Sequence, residues 1–434
     1  MFTVGIFTLG CKVAQYESEA LCEEFERRGL LLRDFSEACD AYVINTCTVT
    51  AESDRKSRQI IRRALKKNPS AVVAVVGCYS ERAAEEIMKI DGVAIVQGTD
   101  GKLSAVDRVI SLLNGEDGCG IFKHPLGEAF EKMEIKRAPR SRAYIKIEDG
   151  CESRCSYCAI RFARGRVRSK LPEDAIREAE ALAESGVNEI VLTGIETGAY
   201  GKDFDFDYTL GDLIAELSRR GKVKRIRLGS LAPELVGRDF CEKVKESKIL
   251  TPHFHISMQS GSDAVLARMK RKYNVKMAYE NIERLRGAFP NAEFTTDMMV
   301  GFPGESDADF EASLDFISRV GFLDVHVFAY SRRAGTEAAS YENQIPEDLK
   351  SQRSRAMIEH KNRVRDERLS EIVKRREALS VIAETELQDG TYSSHADSFA
   401  EIIFKPKTDR DLRGEFATVL PVSHKNGIIY AEEI

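Results

Sequence analysis

The chain has 434 residues, more than one domain normally holds, so two or three domains are expected. Hydrophobic residues at 43% and charged residues at 31% exclude a disordered or fibrous chain, and the longest wholly apolar run, residues 71–76, is far below the roughly 20 residues that span a bilayer. A net charge of −5 excludes nucleic-acid binding through overall charge and leaves only local basic patches as an electrostatic route to RNA.

The first five residues carry no basic lead-in of a secretory signal, so a cytoplasmic, non-membrane protein is expected. Ten cysteines in a reducing compartment then read as thiols that bind metal or do chemistry rather than as bridges. Residues 2–8, 41–45, 72–76 and 93–96 are β-branched strand patterns, and 15–29, 52–67 and 81–89 have helical periodicity. This alternation predicts a Rossmann-like α/β domain with a parallel sheet over residues 1–114. Residues 115–142 are rich in Gly, Pro and charge (Gly115, Gly118, Pro139, Arg140) and read as a linker.

A second alternating series occupies residues 143–370. Strands are expected at 144–147, 189–193, 225–228, 253–256, 293–299 and 323–328, with helices at 173–185, 210–219, 233–247, 278–288 and 307–320. Six βα units predict a partial (βα)6 barrel, whose active site lies where the strands end. A charged helix is expected over 349–376. Alternation at 398–404, 416–421 and 427–432 then predicts a small antiparallel β-barrel within 371–434.

The first strand of the second series runs into Cys151, Cys155 and Cys158, spaced C-x-x-x-C-x-x-C, with no fourth cysteine nearby. Three thiolates this close suit three irons of a 4Fe-4S cube and leave one iron open, the vacancy that the amino and carboxylate groups of S-adenosylmethionine (SAM) need. The alternative is a zinc site completed by a distant residue. With Tyr157 before the last cysteine, the motif resembles the radical SAM superfamily. Val191-Leu192-Thr193-Gly194, Gln259-Ser260-Gly261-Ser262, Thr295-Thr296-Asp297 and Gly301-Phe302-Pro303-Gly304-Glu305 resemble its methylthiotransferase branch. The resemblance implies SAM contacts at Tyr157, Gly194, Ser230, Gln259 and Gly301, and catalysis through a 5′-deoxyadenosyl radical made at Cys151, Cys155 and Cys158.

Cys11, Cys47 and Cys78 are far apart, but each falls just after a predicted strand, so in an open parallel sheet all three lie on the same carboxyl edge. They either converge on a ligand or are simply buried, as cysteines often are. Thr8-Leu9-Gly10-Cys11-Lys12-Val13, Tyr16-Glu17-Ser18-Glu19 and Asn45-Thr46-Cys47-Thr48-Val49-Thr50 resemble the N-terminal domain of methylthiotransferases. That resemblance implies a second 4Fe-4S cluster that holds or supplies sulfur. Ala14 departs from the asparagine usual there.

The form of these motifs resembles the threonylcarbamoyladenosine branch. It implies a tRNA substrate methylthiolated at C2 of the adenine, a sulfur donor, and an electron donor such as flavodoxin or ferredoxin. Isopentenyladenosine in tRNA, an aspartate of a ribosomal protein, and a zinc-bearing RNA-binding protein without catalysis are the alternatives. Basic runs at residues 55–67, with seven cations, and 161–170, with five, offer phosphate contacts. The C-terminal barrel resembles a TRAM domain, an RNA-binding OB-like module, although residues 376–434 carry six Lys/Arg against eleven Asp/Glu, a net of −5.

Overall fold

The opening β-branched runs form a parallel sheet in the computed structural model, which describes residues 1–138, 141–408 and 410–434. Its strands are β1 (Thr3–Thr8), β2 (Leu31–Arg33), β3 (Ala41–Thr46), β4 (Val72–Gly77), β5 (Val93–Gln97) and β6 (Gly120–Phe122), ordered β2-β1-β3-β4-β5-β6. All six residues of β3 are buried, as a central parallel strand covered on both faces requires. Helices Lys12–Arg27, Ala51–Lys67 and Lys102–Leu113 supply those covers. Strand order reverses between β1 and β3, the switch point where open α/β sheets bind ligands.

Two of these strands, β2 and β6, are only three residues long, too short to carry a periodic signal. β6 lies inside the Gly- and Pro-rich stretch, and Met133 and Ile135 of that stretch are buried in the central core. Pro139 and Arg140 lie outside the described residues. The helix expected at 81–89 is instead two short turns, Cys78–Arg82 and Ala84–Met88, divided at Ala83, whose φ of −133° leaves the helical range.

The central domain begins with β7 (Arg142–Lys146) and a ribbon of β8 (Glu148–Asp149) with β9 (Arg168–Ser169). Then follow β10 (Glu189–Thr193), β11 (Ile226–Leu228), β12 (His253–Gln259), β13 (Glu293–Val300) and β14 (Asp324–Ala329). The sheets β7-β10-β11 and β12-β13-β14 are joined by the bridges Ile226↔Leu250 and Leu231↔Ile256 into six parallel strands. Among the described residues no pairing joins β14 to β7, so this is the expected partial barrel, open on one side. The N-terminal domain packs against that side through helix Lys12–Arg27 on β7.

The last five strands, β15 (Leu379–Glu386), β16 (Tyr392–Ala396), β17 (Glu401–Lys405), β18 (Phe416–Lys425) and β19 (Ile428–Glu433), close into a barrel. Alternate residues such as Val381, Ala383, Ile402 and Phe404 fill its core. Before it runs one 29-residue helix, Glu347–Arg375. Met357 and Val364 from that helix sit in the central core, and Leu369 and Ile372 in the small barrel's core.

Candidate active site

Cys11, Cys47 and Cys78 follow β1, β3 and β4 at the switch-point edge, and the sheet brings them together. Gly10 lets this happen at φ +121°: a Cβ there would stand 3.1 Å from the Cβ of Cys47 and 3.4 Å from its Sγ. Gly77 does the same for Cys78 at φ +101°, where a Cβ would meet Asn45 Oδ1 at 2.5 Å. Burial pushes the Cys47 thiol up to about 11, and the nearby sulfur of Cys78 adds to the shift.

The second trio hangs on the loop after β8. Gly150 turns the chain at φ +86°, and the Cys151 amide donates to the Gly165 carbonyl at 3.0 Å. The Ser153 amide points at Cys151 Sγ (3.4 Å), and Arg271 donates to Cys155 Sγ (3.2 Å). Burial raises Cys151 to about 11 and also raises Cys158. Among the described residues, the one group of potential ligand atoms all within 4.8 Å of one another is His255, Asp297 and His326. Neither thiol trio is therefore gathered as the shell of a single zinc ion. Soft sulfur donors, with N–H groups aimed at Cys151, Cys155 and Cys78, suit iron–sulfur ligation.

One side chain reaches the N-terminal trio from the segment that follows the radical loop. Arg164, in the turn Arg161–Arg164 that follows Cys158, is buried and donates from Nε to Cys78 Sγ at 3.2 Å. Its other nitrogens reach Glu17 (2.6 and 3.1 Å) and Asp149 (3.0 Å). Glu17 also receives Lys102 (2.7 Å) and Lys146 (3.1 Å), while Arg168 bridges Asp100 (3.0 Å) and Asp149 (3.6 Å). Burial alone would raise the Glu17 carboxyl, but Arg164, Lys102 and Lys146 outweigh it and hold it well below the usual range. Asp149 is held at about 2 against the same penalty. Four cations thus face three carboxylates beside Cys78, a surplus that suits a thiolate-bound anionic cluster.

The basic run 161–170 is consequently not the phosphate-binding patch expected of it. Arg164, Arg168 and Lys170 are buried in ion pairs, because the ribbon β8–β9 folds them under the N-terminal domain. The run 55–67 keeps Arg55, Lys56, Arg62, Arg63, Lys66 and Lys67 on an exposed helix face.

Gly194, Ser230 and Gln259 stand at the carboxyl ends of β10, β11 and β12, on one edge. A Cβ on Gly194 would lie 2.5 Å from the Glu148 carboxylate. Glu148 is buried, Oε2 accepts from the Glu196 amide (2.8 Å), and Oε1 has no partner. Burial raises the carboxyl of Glu148 and brings that of Glu196 up to about 7. An orphaned buried carboxylate here is what a ligand ammonium would complete. Gln259 is held at φ +70°, strain that marks functional loops. The Tyr157 ring meets Phe302 edge-on at 6.3 Å, and a Cβ on Gly301 would collide with Lys350.

The lumen behind this edge is polar. His255 reaches Asp297 (3.3 Å) from β12, and His326 reaches it (3.1 Å) from β14, with Thr295 Oγ1 between His253 (3.0 Å) and His255 (2.9 Å). At its base Glu189 takes Arg227 (3.0 Å), Arg142 (3.2 Å) and Arg225 (3.6 Å). Sequence reasoning assigned no role to Glu148 or Arg164, and none to Glu17 beyond its place in a motif. Glu17 alone left a signal, an acid on the apolar helix face of Val13, Tyr16, Ala20 and Leu21.

Residues 145–317 match the radical SAM superfamily, and residues 3–98 match a family described as "Uncharacterized protein family UPF0004". The fold agrees: a radical SAM methyltransferase, TsrM of Kitasatospora setae, superposes at a TM-score of 0.58 and 16% identity over 78% of this chain and 77% of that one. The open barrel with its three-cysteine loop therefore defines a radical SAM protein. Over 416 residues the chain is 38% identical to the threonylcarbamoyladenosine tRNA methylthiotransferase MtaB of Bacillus subtilis, covering 94% of this chain and 92% of the relative. The Thermotoga maritima protein of that name is 39% identical over 354 residues, with 81% and 80% covered. A tRNA-2-methylthio-N(6)-dimethylallyladenosine synthase of Thermoanaerobacter pseudethanolicus is 32% identical over 373 residues, with 85% and 79% covered. The chain belongs to the tRNA methylthiotransferase family.

Proposed function

We propose that this protein adds a methylthio group to C2 of N6-threonylcarbamoyladenosine in tRNA. The observation that carries the reading is the presence of two three-thiol sets, one on the carboxyl edge of the N-terminal sheet and one on the loop that opens the barrel, with Arg164 reaching from the segment after Cys158 to Cys78. Cys151, Cys155 and Cys158 would hold one 4Fe-4S cluster with SAM on its open corner, and Cys11, Cys47 and Cys78 a second. When bound, these groups supply radical chemistry at an aromatic C–H that acid–base catalysis cannot reach, together with the methyl group.

The chain's own residues bind and orient. Glu148 offers its unpartnered oxygen to the SAM ammonium, with Gly194 leaving it room. Arg271 and Arg164 donate to cluster sulfurs and hold their negative charge in a buried setting. The N-terminal domain, seated against the open side of the barrel, excludes water from the lumen. The division 1–114, 143–370 and 371–434 assigns sulfur, radical and RNA handling to separate domains. The exposed cations of residues 55–67 and a TRAM-like role of the small barrel serve tRNA binding. Among the described residues no helix is long and apolar enough to cross a membrane, and a cytoplasmic location beside tRNA, a flavodoxin- or ferredoxin-type electron donor and a sulfur donor follows from the reading.

The test is anaerobic turnover of the loaded protein, holding about eight irons per chain, with SAM, reductant and anticodon stem-loops. The threonylcarbamoyladenosine RNA is expected to gain a methylthio group, read by nucleoside mass, with release of 5′-deoxyadenosine. Conversion of an isopentenyladenosine RNA instead, or of neither RNA, would overturn it.

A further inference from the structure

Strands β12, β13 and β14 turn alternate residues to opposite faces. Phe254, Ile256, Phe294, Met298 and Val325 belong to the core shared with the covering helices. The residues between them face the lumen, and there His255, Asp297 and His326 come together, one from each strand. The register makes them neighbours, since His255 pairs with Thr295 and Asp297 with His326.

The two imidazoles converge on one carboxylate. Asp297 Oδ2 lies 3.3 Å from His255 Nε2, and Oδ1 lies 3.1 Å from His326 Nδ1. One nitrogen or oxygen from each of the three stands within 4.8 Å of the others. A tetrahedral ion with bonds of about 2.0–2.1 Å spaces its ligand atoms about 3.3–3.4 Å apart, so two edges of such a shell are close to formed. Thr295 Oγ1, 2.9 Å from His255 Nδ1, turns Nε2 toward the carboxylate, the outer contact that metal-binding imidazoles normally have.

Charge points the same way. Glu17, Asp149 and Glu189 each gather Lys or Arg. Asp297 does not: its ion-pair partners among the described residues are the two imidazoles alone. A triad held by hydrogen bonds is the competing account, but 3.3 Å is long for the His255 contact.

We propose that His255, Asp297 and His326 bind one divalent cation of the zinc class in the barrel lumen. Two imidazoles and a carboxylate are a zinc donor set, and three protein ligands leave the fourth corner to water or substrate, as in catalytic zinc sites. Half-exposed His326 leaves that corner open to the lumen. No cysteine is among these ligands, so occupancy of the site does not depend on the reaction proposed above.

The experiment uses the full chain with its iron loaded, so that the thiols of both trios are occupied, freed of loose metal by a chelator and titrated anaerobically with zinc. About one zinc per chain is expected to survive gel filtration beside unchanged iron, with nitrogen and oxygen at about 2.0–2.1 Å and no sulfur at about 2.3 Å by X-ray absorption at the zinc edge. His326→Asn should keep its iron yet bind zinc at least about 100-fold more weakly, and Asp297→Asn likewise, since losing a ligand costs more than losing an outer contact. Thr295→Val, which removes only the contact that orients His255, should weaken binding about tenfold. Sulfur in the zinc shell, loss of iron as zinc enters, or equal retention by wild type and His326→Asn would overturn the proposal. So would the absence of retained zinc, the mark of a hydrogen-bonded triad that only lines the lumen.

Discussion

Two seams hold this molecule together, and both use one buried glutamate against three cations. At the N-terminal seam Glu17 gathers Arg164, Lys102 and Lys146; at the C-terminal seam Glu189 gathers Arg227, Arg142 and Arg225. The difference lies in what the cations touch next. Arg164 continues to Cys78 Sγ, so the first seam ends on a thiol of the N-terminal trio. Arg227 continues to the carbonyls of Ala396 and Asp397, both at 3.1 Å, Arg225 to the Ser380 hydroxyl and Arg142 to the Glu384 carboxylate, so the second ends on the small barrel and fastens it. The same electrostatic device thus serves as coupling in one place and as anchorage in the other.

The sharpest way to break this contrast is to neutralise each glutamate. Glu17→Gln and Glu189→Gln each remove a buried carboxylate shared by three cations, at a cost of about 3–5 kcal/mol, read as a lowered urea midpoint. Only Glu17→Gln should also lose iron from the N-terminal trio, whereas Glu189→Gln should keep its iron and become sensitive to proteolysis near residue 376. Equal iron loss in both variants would erase the distinction.

Acid comes next in size. Burial would raise Glu189, but its arginines hold it at about 2, below the ordinary 4.5. A depressed carboxyl gives stability that is present above pH 4.5 and lost as the pH falls toward 2, here about 3 kcal/mol. Glu17 is depressed too, so Glu189→Gln should shrink the acid sensitivity of the urea midpoint between pH 5 and 3 without abolishing it. An undiminished acid response in that variant would remove Glu189 from the account.

The smallest effect lies outside both seams and serves as a control. His326 is raised above 6.5 chiefly by its hydrogen bond to Asp297. That contribution is full below pH 6.5 and fades as the pH climbs through the raised value. His326 is half-exposed, so solvent screening leaves a few tenths of a kcal/mol at most. His326→Asn should flatten a urea series from pH 6 to 9 and leave iron content untouched.

The radical loop was legible because its ligands are neighbours in sequence, and the N-terminal trio because each cysteine ends a readable strand. The domain classes followed from periodicity that long helices and six-residue strands display clearly. β2, β6 and the first two strands of the small barrel, β15 and β16, escaped, being short or interrupted by polar residues. The charged seams were illegible for a different reason. Arg164 reads as one more cation in a basic run, and only the folded arrangement of three distant segments turns it toward Cys78. Glu148 likewise acquires meaning from what stands, or fails to stand, beside it.

The helix Glu347–Arg375 has a consequence for motion. At 1.5 Å per residue it is a rod about 43 Å long, rooted in the central core by Met357 and Val364 and in the small barrel by Leu369 and Ile372. A stiff spar clamped at both ends transmits torque and resists hinging. The small barrel is therefore held at a fixed angle to the open barrel, and the two turn as one piece.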